Sequence, residues 1–389
     1  MLAAARPFAG REPVLTQEGA GRVLVQDVVA RVDVPPLDNA QMDGYAVRCS
    51  DIATVPALLP VALRFAAGDA PGVLPAGAAA RIFTGAPIPE GCDAVLMQEI
   101  TRAQEQGVQI LEAPRVGQWI RRRGDDYSEG SVVLAAGQGL RPQHLGIAAA
   151  VGVDRLWVVP RPRVALFCTG DELALPGTAP RPGCIYNSNR FVLGGLLQSL
   201  GCEVLDMGIV PDSQTATIAA LERAAGDAQV VISSGGVSVG EEDHVRAALE
   251  SLGELQLWRI AMKPGKPLAF GRIGLAPFIG LPGNPVSSFV TFVTLVRPFL
   301  LRCLGVRDLA PLGLAMPADF ERPADPIRCE FLRVRCNSAG RLEPFANQNS
   351  ALLRSLAWAD GLAQISAGET VTRGQAVRYL PLAELTGPP

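Results

Sequence analysis

Histidine is almost absent from this chain of 389 residues, which holds only His144 and His244. Its eight cysteines stand singly, with no Cys-x-x-Cys pair. A Cys/His zinc site is thereby excluded, and reduced cysteines in the core of a cytoplasmic protein are expected. Neither histidine has a partner visible in sequence, so neither is given a role. Aromatic residues are sparse too: four Tyr and four Trp, scattered, offer no platform for stacking bases. Charge of one sign is not in excess. A net charge of −3 gives no general attraction to nucleic acid or to an anionic membrane, so neither is expected as a partner. Long apolar runs are missing as well. Phe289 to Val306 is broken by Arg297-Pro298 and Arg302, which fits a core helix and not a membrane span. Leu2-Ala-Ala-Ala meets Arg6-Pro7 at once, too soon for a secretory segment. No Gly-x-x-x-x-Gly-Lys-Ser/Thr occurs, and no Gly-x-Gly-x-x-Gly follows the first α/β strand. A P-loop and a dinucleotide fingerprint are therefore both absent.

What is present is ordinary globular chemistry, with 48% hydrophobic and 19% charged residues. The length predicts two to four domains. The 41 Gly and 32 Pro favour turns over long bundles. An amphipathic stretch over Ala20–Ala30 predicts a short helix, ended by Val34-Pro35-Pro36. From 34 to 130, turn signals recur between short apolar runs such as Val61–Phe65 and Asp93–Met97, which predicts a mostly β domain. Residues 131–160 read as a strand, a helix over Pro142–Val151 and a strand at Leu156–Val159. From Arg163 the pattern becomes strand and helix in alternation. Helices are expected over Ser188–Leu200, Ser213–Ala225 and Asp243–Leu252, stopped by Gly201, Gly226 and Gly253. A last helix has Asn284 as cap and Pro285 at its first position. Alternation of this kind predicts a parallel sheet with helices on both faces and ligands at the carboxyl ends of its strands. From 311 the pattern is β again. Cys329 and Phe331 alternate with charged residues, then Leu332 and Val334 do so in the opposite phase, which predicts a bulge in a bent strand.

Three loops stand at the expected sheet edge. Ser233-Ser-Gly-Gly-Val-Ser-Val-Gly-Glu-Glu-Asp243 is either a backbone cradle for an anion or a tight turn before an acid-capped helix. Lys263-Pro-Gly-Lys266 presents two ammonium groups that suit a tetrahedral oxyanion. Gly280-Leu-Pro-Gly-Asn-Pro285 opens the last helix. Acids gather at the same edge: Asp171 and Glu172, Asp212, and Asp243. Asp212 and Asp243 taken singly read as helix caps. Several carboxylates facing an anion site need a cation between them, and oxygen-only donors point to Mg2+. Asp38–Ala46 is full of turn formers and Arg121–Asp126 mixes three cations with two acids; neither is specific on its own.

Together these segments are similar to a known family. Val34–Ala46, Arg81–Gly91, Arg121–Asp126, Thr169–Leu173, Ser233–Gly240, Lys263–Pro267 and Gly280–Pro285 resemble, in order and over nearly the whole chain, molybdopterin molybdenumtransferases, a family that resembles the E domain of gephyrin. The resemblance implies a multidomain α/β plus β fold. Its parts are an elongated linking domain (1–33 and 131–161), an inserted mostly-β domain (34–130), a parallel-sheet α/β molybdopterin-binding domain (162–310) and a C-terminal β-barrel (311–389). It implies a homodimer with a shared cleft and transient contacts with the adenylylating protein and recipient apoenzymes. The implied reaction is Mg2+-dependent insertion of molybdate into adenylylated molybdopterin, releasing AMP and molybdenum cofactor. By motif position, Asp43, Asp126, Glu172, Asp212 and Asp243 would be catalytic, with Glu172 and Asp243 on the metal. Thr169, Gly170, Asp171, Ser234, Gly235, Gly236, Pro282, Asn284 and Pro285 would bind substrate, and Lys263, Lys266, Ser287, Arg333 and Ser350 would hold molybdate. The chain departs from the family at Leu37, at Ala40, at Arg259, where lysine is common, and in a late start that drops much of the first helix. Two other readings are a non-catalytic dimeric scaffold and another pterin- or nucleotide-binding protein built on the same α/β module. The full set of acids and lysines weighs against the first, and the 34–130 motifs against the second.

Overall fold

The computed structural model describes residues 1–177, 179–237 and 244–389, apart from the side chain of Trp258. Segments far apart in sequence pair at its start: Glu12–Leu15 with Arg155–Val158, and Val28–Val29 with Val132–Leu134. The helix expected over Ala20–Ala30 is not formed. That segment is extended and bridges Val23 to Gly139 and Leu24 to Val158. Its β-branched content favours the extended form, and Leu24 and Val28 are buried beside Leu134, Leu140 and Leu156. The helix Pro142–Ala150 forms where expected.

Residues 34–130 carry short sheets throughout. Val61–Phe65, Ala79–Ile82, Gly44–Val47 and Ala94–Met97 make a four-stranded sheet in that order. A two-stranded ribbon joins Asn39–Ala40 to Ile120–Arg121, so the loops at Asp43 and at Arg122–Asp126 emerge from one ribbon.

The third unit is a six-stranded sheet in the order Glu203–Val210, Arg163–Thr169, Val230–Ser234, Ala276–Leu281, Pro267–Ile273, Gly253–Arg259. Its central strands, Arg163–Thr169, Val230–Ser234 and Ala276–Leu281, have buried interiors without polar alternation because both faces are covered. Leu166, Ile232 and Ile279 point to one face, under Leu193 and Leu197 of helix Asn189–Ser199 and Val286 and Val290 of helix Pro285–Thr291. Ala165, Phe167, Val231 and Phe278 point to the other, under Leu221 and Ala224 of Gln214–Asp227 and Val245 and Leu249 of His244–Leu252. Odd and even residues of one strand thus serve two cores, as a period of two requires. The apolar stretch after Pro285 lies in the first core, with Phe292, Phe299 and Leu300 all buried.

Two expectations change here. The first four strands pair in parallel, but the last two pairings are antiparallel, so that Pro267–Ile273 runs against the other five. Pro267–Ile273 turns back on Ala276–Leu281 through Gly274-Leu275, a two-residue hairpin with Gly274 at φ +56°. No helix lies between Gly253 and Leu281 to carry a parallel crossover, so the sheet is mixed. The second change is smaller. Gly201 closes its helix with φ +78°, but Gly226 sits inside its helix, which runs on to Asp227.

The C-terminal strands pair in the order Met262–Lys263, Cys329–Cys336, Gly361–Ile365, Ala376–Pro381, Leu314–Pro317. Leu342–Pro344 pairs with Cys329–Cys336, and an isolated bridge ties Ala318 to Leu342. The bulge expected in Cys329–Cys336 is absent: its register against Gly361–Ile365 is unbroken from Glu330 to Val334. The strand is covered on both sides. Phe331 joins the first α/β core, and Leu332 and Val334 a separate C-terminal one. The apparent change of phase comes from two charged residues, Glu330 and Arg333, being buried as deeply as their apolar neighbours. All eight cysteines are free. Three are fully buried and Cys336 is exposed, so not all belong to the core.

Candidate active site

The carboxyl ends of strands Arg163–Thr169, Val230–Ser234 and Ala276–Leu281 open into a cleft of about 670 Å³. Thr169, Gly170, Glu172, Asp212, Ser234, Gly235, Gly236, Pro282, Asn284, Pro285 and Ser287 line it. Two loops meet backbone to backbone on its floor. Gly235 and Gly236 have φ +94° and +63°, and a Cβ on Gly235 would lie 2.5 Å from the Thr169 carbonyl oxygen. Only glycine permits that approach. Glu172 folds back over Gly170, where an added Cβ would lie 2.5 Å from Oε2.

Asp212 is not a helix cap. Ser213 holds that position, its hydroxyl accepting the Ala216 N–H at 3.2 Å. Asp212 instead accepts the Asp171 N–H at 3.2 Å, and Asp171 accepts the Asp212 N–H at 3.1 Å. This reciprocal pair locks two strand-end loops together and leaves Asp212 on the cleft, whereas Asp171 is exposed and does not line it. Asn284 caps its helix by position only. Its side chain makes no cap hydrogen bond and is left to the cleft. Asp243 lies outside the described residues.

The lysine loop rests on the helix that carries Ser287. A Cβ on Gly265 would lie 2.4 Å from Thr291 Oγ1 and 3.6 Å from the Ser287 carbonyl oxygen. Pro267, at the loop's end, lines the cleft, but Lys263 and Lys266 do not. Lys266 is exposed and forms no ion pair among the described residues. Lys263 forms part of a two-residue strand parallel to Cys329–Glu330, and its ammonium is in an ion pair with the Glu330 carboxylate. Arg322 grips the same carboxylate with two hydrogen bonds, at 2.7 and 3.0 Å. Burial pushes the Glu330 carboxyl up, but the bonds and charges of Arg322 and Lys263 outweigh it and hold the pKa below the ordinary glutamate value. A carboxylate depressed in the folded state stabilises the fold above its unfolded pKa, and that stability is lost as pH falls through the folded one. E330Q is thus expected to be less stable than wild type at pH 7, with the gap closing below about pH 4 in urea denaturation. A gap that stayed constant with pH would contradict this.

Arg333 is the most deeply buried charged side chain at this end of the molecule, 1% exposed. It donates to Ser355 Oγ at 3.2 Å and, weakly, to the Asn349 carbonyl at 3.4 Å. No carboxylate pairs with it among the described residues, and burial pushes its pKa down to about 10. The loop that wraps it reaches the cleft: the Ser350 carbonyl accepts the Val286 N–H at 3.0 Å, and Ala351 and Leu353 are cleft lining.

Asp43 and Asp126 lie off this cleft. Asp43 accepts the N–H and the hydroxyl of Thr84, both at 2.8 Å, and these hold its pKa below the ordinary carboxylate range. The Asp126 N–H donates to the Val34 carbonyl at 2.9 Å. Arg122 pairs with Asp38 at 2.6 Å and Arg123 with Asp33, so two of the three arginines before Asp126 are engaged locally.

Three family descriptions match the chain in order. "MoeA N-terminal region (domain I and II)" covers residues 1–152, "Probable molybdopterin binding domain" 165–302, and "MoeA C-terminal region (domain IV)" 315–382. A Haemophilus influenzae protein named molybdopterin molybdenumtransferase is 44% identical over 380 residues, 94% of each chain. The chain belongs to the molybdopterin molybdenumtransferase family. A Nostoc member is 37% identical over 93% of this chain and 86% of its own. A solved molybdopterin biosynthesis MoeA protein from Pyrococcus horikoshii superposes with a TM-score of 0.79 at 31% identity, covering 98% of this chain and 96% of that one.

Some of this family member's cleft was not singled out in sequence. Asn189 donates to Ser234 Oγ at 2.8 Å and to the Gly283 carbonyl at 2.7 Å, tying the glycine loop to the Pro282 loop. Asn187 is buried, and its side-chain oxygen takes the Arg190 N–H at 3.1 Å, while Ser188, at the cap position, makes no side-chain cap bond. The pair Asn187-Ser-Asn189 at a helix start was the available signal.

Proposed function

We propose that this chain inserts molybdate into adenylylated molybdopterin with the help of Mg2+, releasing AMP and molybdenum cofactor. The observation that carries this reading is Arg333, a buried cation with no carboxylate partner among the described residues, wrapped by a loop that lines the cleft. A desolvated guanidinium calls for an anion, and a tetrahedral oxyanion is the reactant that suits it. Ser287 and the two lysines of the adjoining loop would supply further donors. Thr169, Ser234 and the Gly235-Gly236 backbone form the floor for the pterin and its phosphate.

Glu172 and Asp212 face the same cleft, and their hard oxygen donors fit Mg2+, which retains waters and shares its shell with substrate phosphates. No group of three or more His, Cys, Asp or Glu side chains is gathered for a metal among the described residues, so substrate oxygens would complete the shell. Glu172 with Asp243 would hold the ion, and Asp212, fixed by its bond with Asp171, would orient the phosphoanhydride. Bound there, Mg2+ supplies charge neutralisation of the phosphate leaving group.

Asp43 and Asp126 belong to the same reading. They emerge from one ribbon and do not line the cleft of their own chain, which supports a homodimer in which they complete the partner's cleft. We read the domains as 1–33 with 131–161, 34–130, 162–310 and a closing barrel from 311. The two-residue strand at 262–263 is lent to the last of these. A cytoplasmic setting, with transient contact to the adenylylating protein and recipient apoenzymes, accords with this chemistry. The test is release of AMP from adenylylated molybdopterin by the purified protein. Release that depends on both molybdate and Mg2+ is expected, and release indifferent to molybdate would overturn the reading.

A further inference from the structure

Glu330 belongs to the C-terminal strands, yet its partner Lys263 comes from the loop beside the cleft. Three features fix this contact. The strand pairing sets Lys263 opposite Glu330 in register. Arg322 holds both carboxylate oxygens, sharing Oε1 with Lys263 and taking Oε2 alone, so the carboxylate cannot swing away with the lysine. The Glu330 side chain is 4% exposed against 41% for Lys263, so the fixed member is the acid and the mobile one the lysine. Lysine alone is a flexible four-carbon stem with many rotamers, whereas an ammonium tethered to a buried, doubly held carboxylate keeps one position. Two cations share one carboxylate, so the cluster retains a net positive charge toward an incoming anion.

We propose that Glu330 is a positioning residue that acts through Lys263, fixing that ammonium for the oxyanion substrate. The inference rests on the reading that Lys263 contacts molybdate. It also assigns Arg322 a purpose, as the group that keeps Glu330 ionised and immobile.

The test measures molybdate KM and pterin KM separately, at saturating co-substrate, in wild type, K263A, E330A, E330Q and the double variant K263A/E330A. E330A is expected to raise molybdate KM by about tenfold and leave pterin KM unchanged. E330Q, which keeps an acceptor of the same shape, is expected to fall between E330A and wild type. In the K263A background the E330A change is expected to have no further effect, because its route is already cut. If E330A does not fold, E330Q carries the test, with its thermal melt as control. A folded E330A or E330Q with wild-type molybdate KM would overturn the proposal. So would an equal rise in both KM values, or a full E330A effect persisting in K263A. If K263A alone leaves molybdate KM unchanged, the oxyanion reading of the loop falls, and the proposal falls with it.

Discussion

Arg333→Met is expected to keep the protein folded, to leave its Tm unchanged or raise it, and to cut molybdate-dependent turnover at low molybdate by about 100-fold. The opposite signs follow from one fact. A guanidinium that is 1% exposed and has no carboxylate partner among the described residues is a cost to the fold, which an apolar side chain of similar length removes. Little is orphaned by the change, because Ser355 Oγ still donates to the Leu352 carbonyl at 2.7 Å. A residue that only supported packing would lose stability and activity together. Thermal melts and initial rates across molybdate concentrations separate the cases. A variant with wild-type kcat/KM for molybdate would remove Arg333 from the oxyanion site.

The second large effect concerns subunits. Asp43→Asn and Asp212→Asn are each expected to abolish insertion. Mixed in equal amounts and allowed to exchange subunits, the two inactive proteins are expected to recover about one quarter of wild-type activity. Half of the dimers are then mixed. Each mixed dimer has one cleft with both changes and one with neither, provided Asp43 serves the partner's cleft. Should Asp43 act within its own chain, mixing restores nothing. Asn at either position retains a carbonyl oxygen for the Thr84 or Asp171 bond, so both variants are expected to fold.

The α/β part of the fold was legible because its rules are local. Burial on two faces makes strand interiors uniformly apolar, and Asn284-Pro285 marks a helix start without help from the rest of the chain. Strand direction was less legible. The strand–helix alternation implies a parallel sheet only as far as its helices run, and Gly274-Leu275 between two apolar runs is the local sign of the hairpin. Ala20–Ala30 has a helical spacing of apolar residues, but its partners lie more than a hundred residues away, at Gly139 and Val158. No local pattern announces such pairing. The cleft floor was visible in its glycines and acids. Glu330 was not, because an acid flanked by apolar residues in a strand looks solvent-facing until the cations on it are known. The same holds for Asn189, whose two hydrogen bonds join loops from different strands.

The two-residue strand Met262–Lys263 carries one more consequence. A chimera that takes its C-terminal segment from a relative, cut near residue 311, looks harmless in sequence. In this molecule such an exchange would separate Glu330 from the lysine it pairs with. It would also part Phe331, Leu362 and Leu380 from the helices they pack on. A chimera cut at 311 would therefore need 262–263 and 329–330 taken from the same parent, a dependence that crosses the apparent domain boundary.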